Sequence, residues 1–399
     1  MSIPWRDAMS HALYGPDGFF VAGAGPADHF RTSVHASPAF AAALLRLVSQ
    51  VDAALGHPAR LDVVDVGAGR GELLRSLAGL AVGVSARSLR HEPSSVTVRP
   101  SLAERIRFTA VEYAARPADL PDEINWVAEI PNGITGVLLA TEWLDNVPLD
   151  VAVHTADGWR YVLVDPESGV ETVGELVNAA DLDWLRKWWP APSTSPGADS
   201  DPDLALTWTD ATSRGESGFR AARPAEGSSL TARSRPGCPE TPNSDYLRAE
   251  IGRSRDEAWA DAVLQISRGL AVAVDYGHLR EGRPVDGTLT GYRGGRQVPP
   301  VPDGSSDVTA HVAMDSVASA GAAVARCAYS LISQAEALRA LGADGGRPPL
   351  SLAGTDPPGY VRALAAASAV AELTDPAGLG GHWWLHQPVG IGLPPAVAR

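Results

Sequence analysis

The chain has 399 residues, of which 45% are hydrophobic, and a formal net charge of −14. This length suits two or three average domains, or one elaborated α/β domain with a sizeable core. The acidic residues are spread along the sequence. Their excess argues against general nucleic-acid binding, because that function needs a basic surface. The same charge mildly favours a basic partner.

Residue patterns that would indicate metals, disulfides or export are absent from the sequence. Cys238 and Cys327, the two cysteines, form no CxxC pair, and no histidine motif has ligand spacing, so we predict no metal and no disulfide framework. The N-terminus lacks a signal-peptide pattern, and no apolar run approaches the roughly 20 residues of a membrane span. We therefore predict a soluble, cytoplasmic protein. Lys187 is the only lysine, and alanine, glycine and proline are abundant, which is typical of a high-GC bacterium.

Residues 1–37 are predicted to form an irregular cap. Their segment 14–20 (Tyr-Gly-Pro-Asp-Gly-Phe-Phe) is rich in turn-forming and aromatic residues. An amphipathic helix over 39–55 follows the cap. Ser37 and Pro38 suit the start of this helix, as a capping residue and a proline at the first helical position.

The segment 61–74 predicts a buried strand, a glycine turn and the start of a helix. Its valines form the β-branched run of a parallel strand. Gly67, Gly69 and Gly71 let the backbone turn sharply and approach a ligand closely. The dinucleotide fingerprint G-x-G-x-x-G needs its last glycine where this chain has Glu72. The pattern is therefore G-x-G-x-G.

This glycine pattern, preceded by an acidic residue, is typical of methyltransferases that use S-adenosylmethionine (AdoMet). The cofactor has no pyrophosphate, but it carries an ammonium, a sulfonium and a ribose, which favour nearby carboxylates. An ordinary connection between a strand and a helix would also explain a glycine turn. The motif predicts cofactor contacts from Asp65, Gly67, Ala68, Gly69 and Gly71.

A further acid is expected where the second strand of such a fold ends. The apolar run 80–84 and the segment 88–93 follow the predicted helix. Glu92 comes close to the expected interval of about 20 residues after the glycine turn. Its carboxylate could accept hydrogen bonds from both ribose hydroxyls. A surface glutamate before a proline turn is the alternative interpretation.

Strands and helices alternate through the rest of the chain. Buried strands are predicted over 137–142, 269–277 and 383–391, a hairpin over 151–164, helices over 182–189, 249–265 and 360–373, and further strand and helix over 308–320 and 322–341. Residues 191–244 differ, because they are dense in Ser, Pro, Gly, Asp and Thr. We predict a disordered, low-complexity insertion there.

The alternation predicts an α/β fold with a doubly wound, mostly parallel sheet. Ligands of such sheets bind at the carboxyl ends of the strands. Acids expected to line one pocket at that edge are Asp65, Glu92, Glu142 and Asp275. The predicted segments are an N-terminal cap (1–37), the first part of an AdoMet-binding core (38–190), the insertion (191–244), and the rest of the core with a substrate-side subdomain (245–399).

Candidate catalytic residues follow the strand that ends near residue 142. Methyl transfer is an in-line displacement, so the enzyme mainly supplies alignment and a correctly protonated nucleophile. Glu142 and Asp145 would share one face if their segment were helical, and together could hold a guanidinium. An acidic pair at a helix N-terminus would equally explain them. His278 and His311 could each relay a proton or be structural.

Several motifs resemble, in the same order, those of the MidA-like methyltransferases, a family that includes the mitochondrial assembly factor of respiratory complex I. They lie at residues 13–20, 28–33, 65–71, 141–148, 275–277, 287–289 and 307–311. The resemblance implies a Rossmann-like class I methyltransferase fold with an extra substrate-side subdomain. It also implies AdoMet as the cofactor and a protein arginine as the methyl acceptor.

The resemblance also implies roles for individual residues. Cofactor or acceptor contacts are implied for Gly67, Gly69, Glu92, Glu142 and Asp145. Thr32 and Ser33 are expected to close over the cofactor. The chain departs from the family pattern at His35, Thr141, Arg293 and Arg296. These departures leave room for a different substrate.

Other functions stay open at this point. The chain could be a small-molecule methyltransferase of secondary metabolism, or a catalytically weak AdoMet-binding assembly factor. A wide, acid-lined cleft would favour a protein acceptor, whereas a closed aromatic pocket would favour a small molecule. Oxidoreduction with a nicotinamide cofactor is least favoured, because Glu72 replaces the third fingerprint glycine.

Overall fold

The computed structural model describes residues 1–22, 33–88, 100–189, 247–343 and 345–398. The predicted insertion at 191–244 and the predicted cofactor residues Thr32 and Glu92 lie outside the described residues.

The described helices differ in how they begin, and some, such as the fourth and the tenth, start at a serine cap. The helices are α1 (Trp5–Tyr14), α2 (Phe19–Ala22), α3 (Ser33–Ala36), α4 (Pro38–Ala54), α5 (Glu72–Ser88), α6 (Leu102–Arg105), α7 (Ala179–Trp188), α8 (Arg253–Leu264), α9 (Met314–Ala325), α10 (Gln334–Ala340), α11 (Leu350–Thr355) and α12 (Pro357–Leu373). As predicted, the Ser37 hydroxyl caps α4, accepting from the Ala39 N–H at 3.0 Å, with Pro38 in the first turn. None of the described helices is long and apolar enough to cross a membrane.

The strands divide between a central sheet and smaller sheets. They are β1 (Ile3–Pro4), β2 (Leu61–Val66), β3 (Ile106–Val111), β4 (Ile124–Val127), β5 (Ile134–Thr141), β6 (Asp150–Thr155), β7 (Gly158–Val164), β8 (Glu171–Leu176), β9 (Arg248–Ile251), β10 (Ile266–Asp275), β11 (Gly277–His278), β12 (Thr290–Arg293), β13 (Arg296–Val298), β14 (Asp307–Thr309), β15 (Val312–Ala313), β16 (Ser330–Ser333) and β17 (Trp383–Val389).

The central sheet has seven strands in the order β16-β17-β10-β5-β2-β3-β4. From β10 to β4, every neighbouring pair is parallel. β17 is antiparallel to both of its neighbours. The carboxyl ends of the five parallel strands therefore meet at one edge, as expected for a sheet that binds a ligand there.

Helices cover both faces of the central sheet. Adjacent side chains of β2 point to opposite faces, so Val63 packs with α4, α5 and α10, whereas Val64 packs with α8 and α9. Burial on both faces explains why this strand is a continuous apolar run rather than an alternating one. The mostly parallel sheet predicted from the sequence is present.

A second sheet lies beside the first, in the order β1-β7-β6-β9, with β8 also paired to β7. The hairpin of β6 and β7 was predicted from the sequence. The predicted cap is more regular than expected, because its first residues form β1 and α1. Trp5, Met9 and Leu13 of α1 pack against Val151 and Val162 of the hairpin.

Some predicted elements were wrong. The run 80–84 belongs to α5, and the second strand of the central sheet lies at β3 instead. The predicted helix 249–265 begins as strand β9, which ends at Ile251, and Gly252 then precedes α8. The predicted helix 322–341 is interrupted, because Arg326 is left-handed (φ 52°) and ends α9, and β16 and α10 follow.

Candidate active site

A cleft of about 1060 Å³ lies at the carboxyl ends of the parallel strands. Its walls come from the segments after β2, β3, β5 and β10, represented by Gly67, Glu112, Glu142 and Tyr276. His311, which follows β14, also lines it. The cleft therefore brings together residues that are far apart in the sequence.

The glycine turn forms one wall of the cleft. Gly67, Gly69 and Gly71 all have positive φ (70°, 58° and 80°), a conformation that favours glycine. Gly67 and Gly69 line the cleft, and a Cβ on Gly67 would lie 2.9 Å from the Trp143 ring. Gly71 instead faces Leu120, which a Cβ would meet at 2.7 Å. The turn thus presents its first two glycines to a ligand and packs the third inward.

Two other predicted cofactor residues lie behind this turn. Ala68 is buried in the core on the α4–α5 face of the sheet. Asp65 is also buried, and its Oδ1 has no hydrogen-bond partner among the residues that the structure describes. Burial, with smaller contributions from Glu72 and Glu112, raises the pKa of Asp65 to about 8. Asp65 is therefore mostly neutral at pH 7.

Glu112 is a site residue that the sequence reasoning missed. It follows β3 directly, and its Oε2 accepts a hydrogen bond from the Gly69 N–H at 3.0 Å. Its other oxygen accepts from the Tyr113 N–H at 2.8 Å. Burial raises the pKa of Glu112, and these backbone donors oppose the shift. The acid at the end of the second strand is thus Glu112 by position, and the available signal was the segment Ile106–Val111 before it, in which Ile106, Phe108 and Ala110 alternate with other residues.

Glu142 lies at the end of β5, in the cleft wall. Its backbone has φ 50°, which is unusual for a residue with a side chain. The Glu142 N–H donates to the Val274 carbonyl at 2.7 Å, and its Oε1 accepts from the Ser33 N–H at 3.1 Å. Ser33 itself is fully buried. The predicted residues Ser33 and Glu142 are therefore in direct contact.

The segment of Glu142 and Asp145 is not an α-helix, so the condition for their pairing on one helix face is not met. Asp145 lies in a short 3-10 turn, Leu144–Asn146, and Glu142 precedes this turn in a left-handed conformation. The Leu144 and Asp145 N–H groups donate to Oδ2 of Asp275 at 3.0 and 3.3 Å. Asp275 is completely buried, so it holds the turn rather than lining the cleft.

The Asp145 carboxylate is buried but lines the cleft. Its Oδ2 accepts hydrogen bonds from the Tyr276 hydroxyl and from the Thr309 hydroxyl at 2.8 Å. Its Oδ1 has no partner within the described parts of the chain. Burial raises the pKa of Asp145, and the bonds from Tyr276 and Thr309 act in the opposite direction. The Asp145 carboxylate thus keeps one buried acceptor oxygen without a donor among the described residues.

Asp307 adds a second buried acid to the same wall. Its Oδ1 accepts from the Asn146 amide at 2.7 Å. Burial and the nearby charge of Asp145 raise the pKa of Asp307 well above its ordinary range. The Tyr14 hydroxyl donates to the Asn146 carbonyl at 3.3 Å and brings the N-terminal segment to this point.

Arg255 connects the two loops that carry these acids. This buried side chain donates to four backbone carbonyls, those of Asp145, Val147, Ala310 and His311, and none of these bonds goes to a carboxylate. A planar guanidinium can span several carbonyls in this way because its donors are fixed in a fork. Arg255 therefore sets the position of the loop after β5 relative to the loop after β14.

The two candidate histidines have different surroundings. His278 is buried, and Arg283 donates to its Nδ1 at 2.6 Å, which suits a structural role. His311 is exposed and lines the cleft. Among the described residues, no cluster of His, Cys, Asp and Glu has the geometry of a metal site.

Comparisons with solved structures show the fold. A crystal structure from Burkholderia thailandensis with S-adenosyl-homocysteine bound matches with a TM-score of 0.68 and 22% identity, covering 100% of this chain and 91% of the other. A native crystal structure from the same organism matches with a TM-score of 0.65 and 22% identity, covering 100% and 90%. No curated protein matches the chain significantly.

A family model shows which protein family the chain belongs to. The model described as "Putative S-adenosyl-L-methionine-dependent methyltransferase" matches residues 43–331, which is more than half of the chain. The match confirms the resemblance drawn from the sequence motifs. The chain therefore belongs to this family and is a methyltransferase whose cofactor is S-adenosyl-L-methionine.

Proposed function

We propose that this enzyme methylates a cationic nitrogen acceptor, an arginine side chain of a protein. The observation that carries the proposal is Asp145, which lines the cleft and whose buried Oδ1 has no partner in the described residues. A buried carboxylate oxygen without a donor is costly, and a guanidinium N–H would satisfy it.

The residues present fit the cofactor. AdoMet, when bound, supplies an electrophilic methyl group on its sulfonium sulfur. We assign the wall formed by Gly67 and Gly69 to cofactor binding, because the backbone there is free of side chains. We assign to Glu112 the role of accepting hydrogen bonds from the ribose hydroxyls, and to Asp65 a role in supporting the turn from behind. The order and direction of the strands favour a Rossmann-like, doubly wound arrangement, with the second sheet as the substrate-side subdomain.

The size and charge of the cleft favour a cationic acceptor. Its volume, about 1060 Å³, is at the upper end of ligand pockets, which suits a cofactor together with part of a second substrate. Glu112, Glu142, Asp145 and Asp307 line it, whereas Arg255 lies behind the wall and donates only to backbone carbonyls. A protonated nitrogen would therefore be attracted to the cleft, and nearby carboxylates could orient it.

A small-molecule acceptor is the second candidate. Tyr14 stacks on Phe20 with ring centroids 5.7 Å apart, and Tyr113 meets Tyr14 edge-on at 5.7 Å. These three rings line the cleft and could form the wall of a compact aromatic pocket. The third candidate, an AdoMet-binding assembly factor without significant activity, would leave the Asp145 carboxylate unused.

The test separates the three candidates. The enzyme and methyl-labelled AdoMet are incubated with an extract of cells lacking this protein, divided into a protein fraction and a small-molecule fraction. Label in protein, recovered as methylarginine after hydrolysis, is the expected result, and Asp145→Asn should abolish it. Label confined to small molecules would favour the second candidate. Binding of S-adenosyl-homocysteine without any transfer would favour the third.

A further inference from the structure

We propose that His311 is the group that takes the proton from the methyl acceptor. This inference rests on the proposed function, because an acceptor nitrogen that gains a methyl group must lose a proton. The sequence alone favoured a structural role for His311 over a proton relay, so this assignment depends on the structure.

The position of the ring supports this role. His311 lines the same cleft as Glu142 and Asp145. Its ring lies edge-on to Tyr276, with centroids 5.1 Å apart and planes at 73°. The Tyr276 hydroxyl in turn donates to Asp145, the proposed acceptor ligand. His311 thus lies beside the acceptor position and also contacts solvent.

Hydrogen bonds fix the backbone of His311, whereas its ring nitrogens remain available to accept a proton. The His311 N–H donates to the Thr288 hydroxyl at 2.8 Å, and its carbonyl accepts from Arg255 at 3.0 Å. Thr288 is held in turn by the buried carboxylate of Glu250. Neither ring nitrogen has a hydrogen-bond partner among the described residues. Either ring nitrogen can therefore accept a proton from an acceptor bound within hydrogen-bond reach.

Burial of the His311 ring favours its neutral form. Desolvation of the ring is the main effect that lowers the pKa of His311, and Arg255 lowers it further. Glu250 and Asp145 act in the opposite direction. His278 and His382 also face His311, and burial lowers the pKa of both, to about 3 and about 4, so neither carries a charge at pH 7. A neutral imidazole can accept a proton at neutral pH.

The other candidate bases already accept hydrogen bonds from the protein. Oδ2 of Asp145 already accepts two hydrogen bonds, and its free Oδ1 is assigned to binding the acceptor. Glu142 is held by the Ser33 N–H. His278 accepts from Arg283 and lies outside the cleft lining.

Methyl transfer and the loss of the proton need no reactant besides the cofactor and the acceptor. The lone pair of the acceptor nitrogen forms the new N–CH3 bond while the CH3–S bond breaks, and its electron pair stays on sulfur. The nitrogen then gives its proton to a ring nitrogen of His311. The imidazolium releases that proton to solvent, because the side chain is exposed.

The test compares His311→Gln with the wild type. Glutamine keeps a polar side chain but cannot take up the proton. We expect transfer of labelled methyl groups to the extract protein to fall about 100-fold, the scale of general-base catalysis. Calorimetric affinity for S-adenosyl-homocysteine should stay within about twofold, because His311 is not part of the glycine-turn wall. The matched control is His154→Gln, an exposed histidine of β6, which should change neither quantity.

A second readout does not depend on activity. In protein labelled at the histidine ring nitrogens, the NMR signal lost in His311→Gln should titrate below pH 6.5 in the wild type. Wild-type transfer rates in His311→Gln, joint loss of binding and transfer, or a His311 ring protonated at pH 7 would each overturn this proposal. Failure of the wild type to label any protein would instead overturn the proposed function.

Discussion

The backbone N–H of Ser33 donates to the carboxylate of Glu142 at 3.1 Å, although 109 positions separate the two residues. The Ser33 hydroxyl pairs with the Gln334 amide, which also accepts from the Trp384 indole at 3.1 Å. A side chain of the cleft wall is thus held by α3, which is anchored on α10 and β17. This support explains how Glu142 is kept in a left-handed conformation.

Because the backbone of Glu142 is strained, a glycine variant at this position should be more stable than an alanine variant, the reverse of the usual order. Alanine normally stabilises a chain relative to glycine, but at φ 50° it retains the steric penalty that glycine avoids. We expect Glu142→Gly to have a free energy of unfolding about 1 kcal/mol higher than Glu142→Ala. Urea denaturation measures this difference, and both variants should lose methyl transfer. An Ala variant as stable as the Gly variant would contradict the strain.

Asp65 should make the protein less stable as the pH rises. Its pKa is about 8 in the folded protein, against an ordinary value of 3.8, so between these values the folded state holds a proton that the unfolded state has lost. The stability from this group is complete below about pH 4 and is lost progressively up to about pH 8. Asp65→Asn should therefore raise the melting temperature relative to wild type more at pH 9 than at pH 5. The exposed change Asp122→Asn should show no such trend.

Glu112 should contribute to cofactor affinity through its charge. Glu112→Gln keeps the shape of the side chain but weakens its hydrogen bond from the Gly69 N–H and the hydrogen bonds proposed from the ribose hydroxyls. A hydrogen bond to a charged group contributes about 1.5–3 kcal/mol, so we expect S-adenosyl-homocysteine to bind at least ~10-fold more weakly. Calorimetry on Glu112→Gln and on the exposed Glu123→Gln separates this effect from a general loss of charge. Equal affinities in the two variants would remove Glu112 from the cofactor site.

The glycine turn allows a matched pair of alanine substitutions. A Cβ on Gly67 would meet the Trp143 ring at 2.9 Å and would be strained at φ 70°. Gly79 lies exposed in α5, with nothing within 4 Å of the added Cβ. Gly79→Ala should raise the free energy of unfolding by about 0.5–1 kcal/mol, whereas Gly67→Ala should lower it and weaken S-adenosyl-homocysteine binding. Thermal denaturation and calorimetry check both results.

Sequence patterns of a few neighbouring residues predicted the elements whose conformation those residues determine. The valine run of β2, the glycine turn and the capped start of α4 were all read correctly from neighbouring residues. The family motifs also pointed to Ser33 and Glu142, whose contact the structure shows. The sequence did not predict Glu112 as a site residue. The reason is that α5 is longer than its apolar pattern indicated, so the second strand lies further along the chain than expected.

Long-range contacts determine the features of the site that local sequence patterns did not predict. The 3-10 turn around Asp145 depends on the carboxylate of Asp275, which lies 131 and 130 positions beyond the two N–H groups it accepts. The four carbonyls bound by Arg255 belong to two loops that no sequence spacing connects. Such relationships are set by packing of the finished sheet and carry no local signal.

The placement of β17 between β10 and β16 has a consequence for synthesis. Chains emerge from the ribosome N-terminal end first, and domains tend to fold as they emerge. Here the hydrogen-bonding edge of β10 stays open until residues 383–389 have been made. The nascent protein therefore carries an unpaired, apolar strand edge while residues 276–382 are made, and such a surface recruits chaperones or promotes aggregation. A premature stop before residue 383 would thus yield an insoluble chain rather than a shortened enzyme.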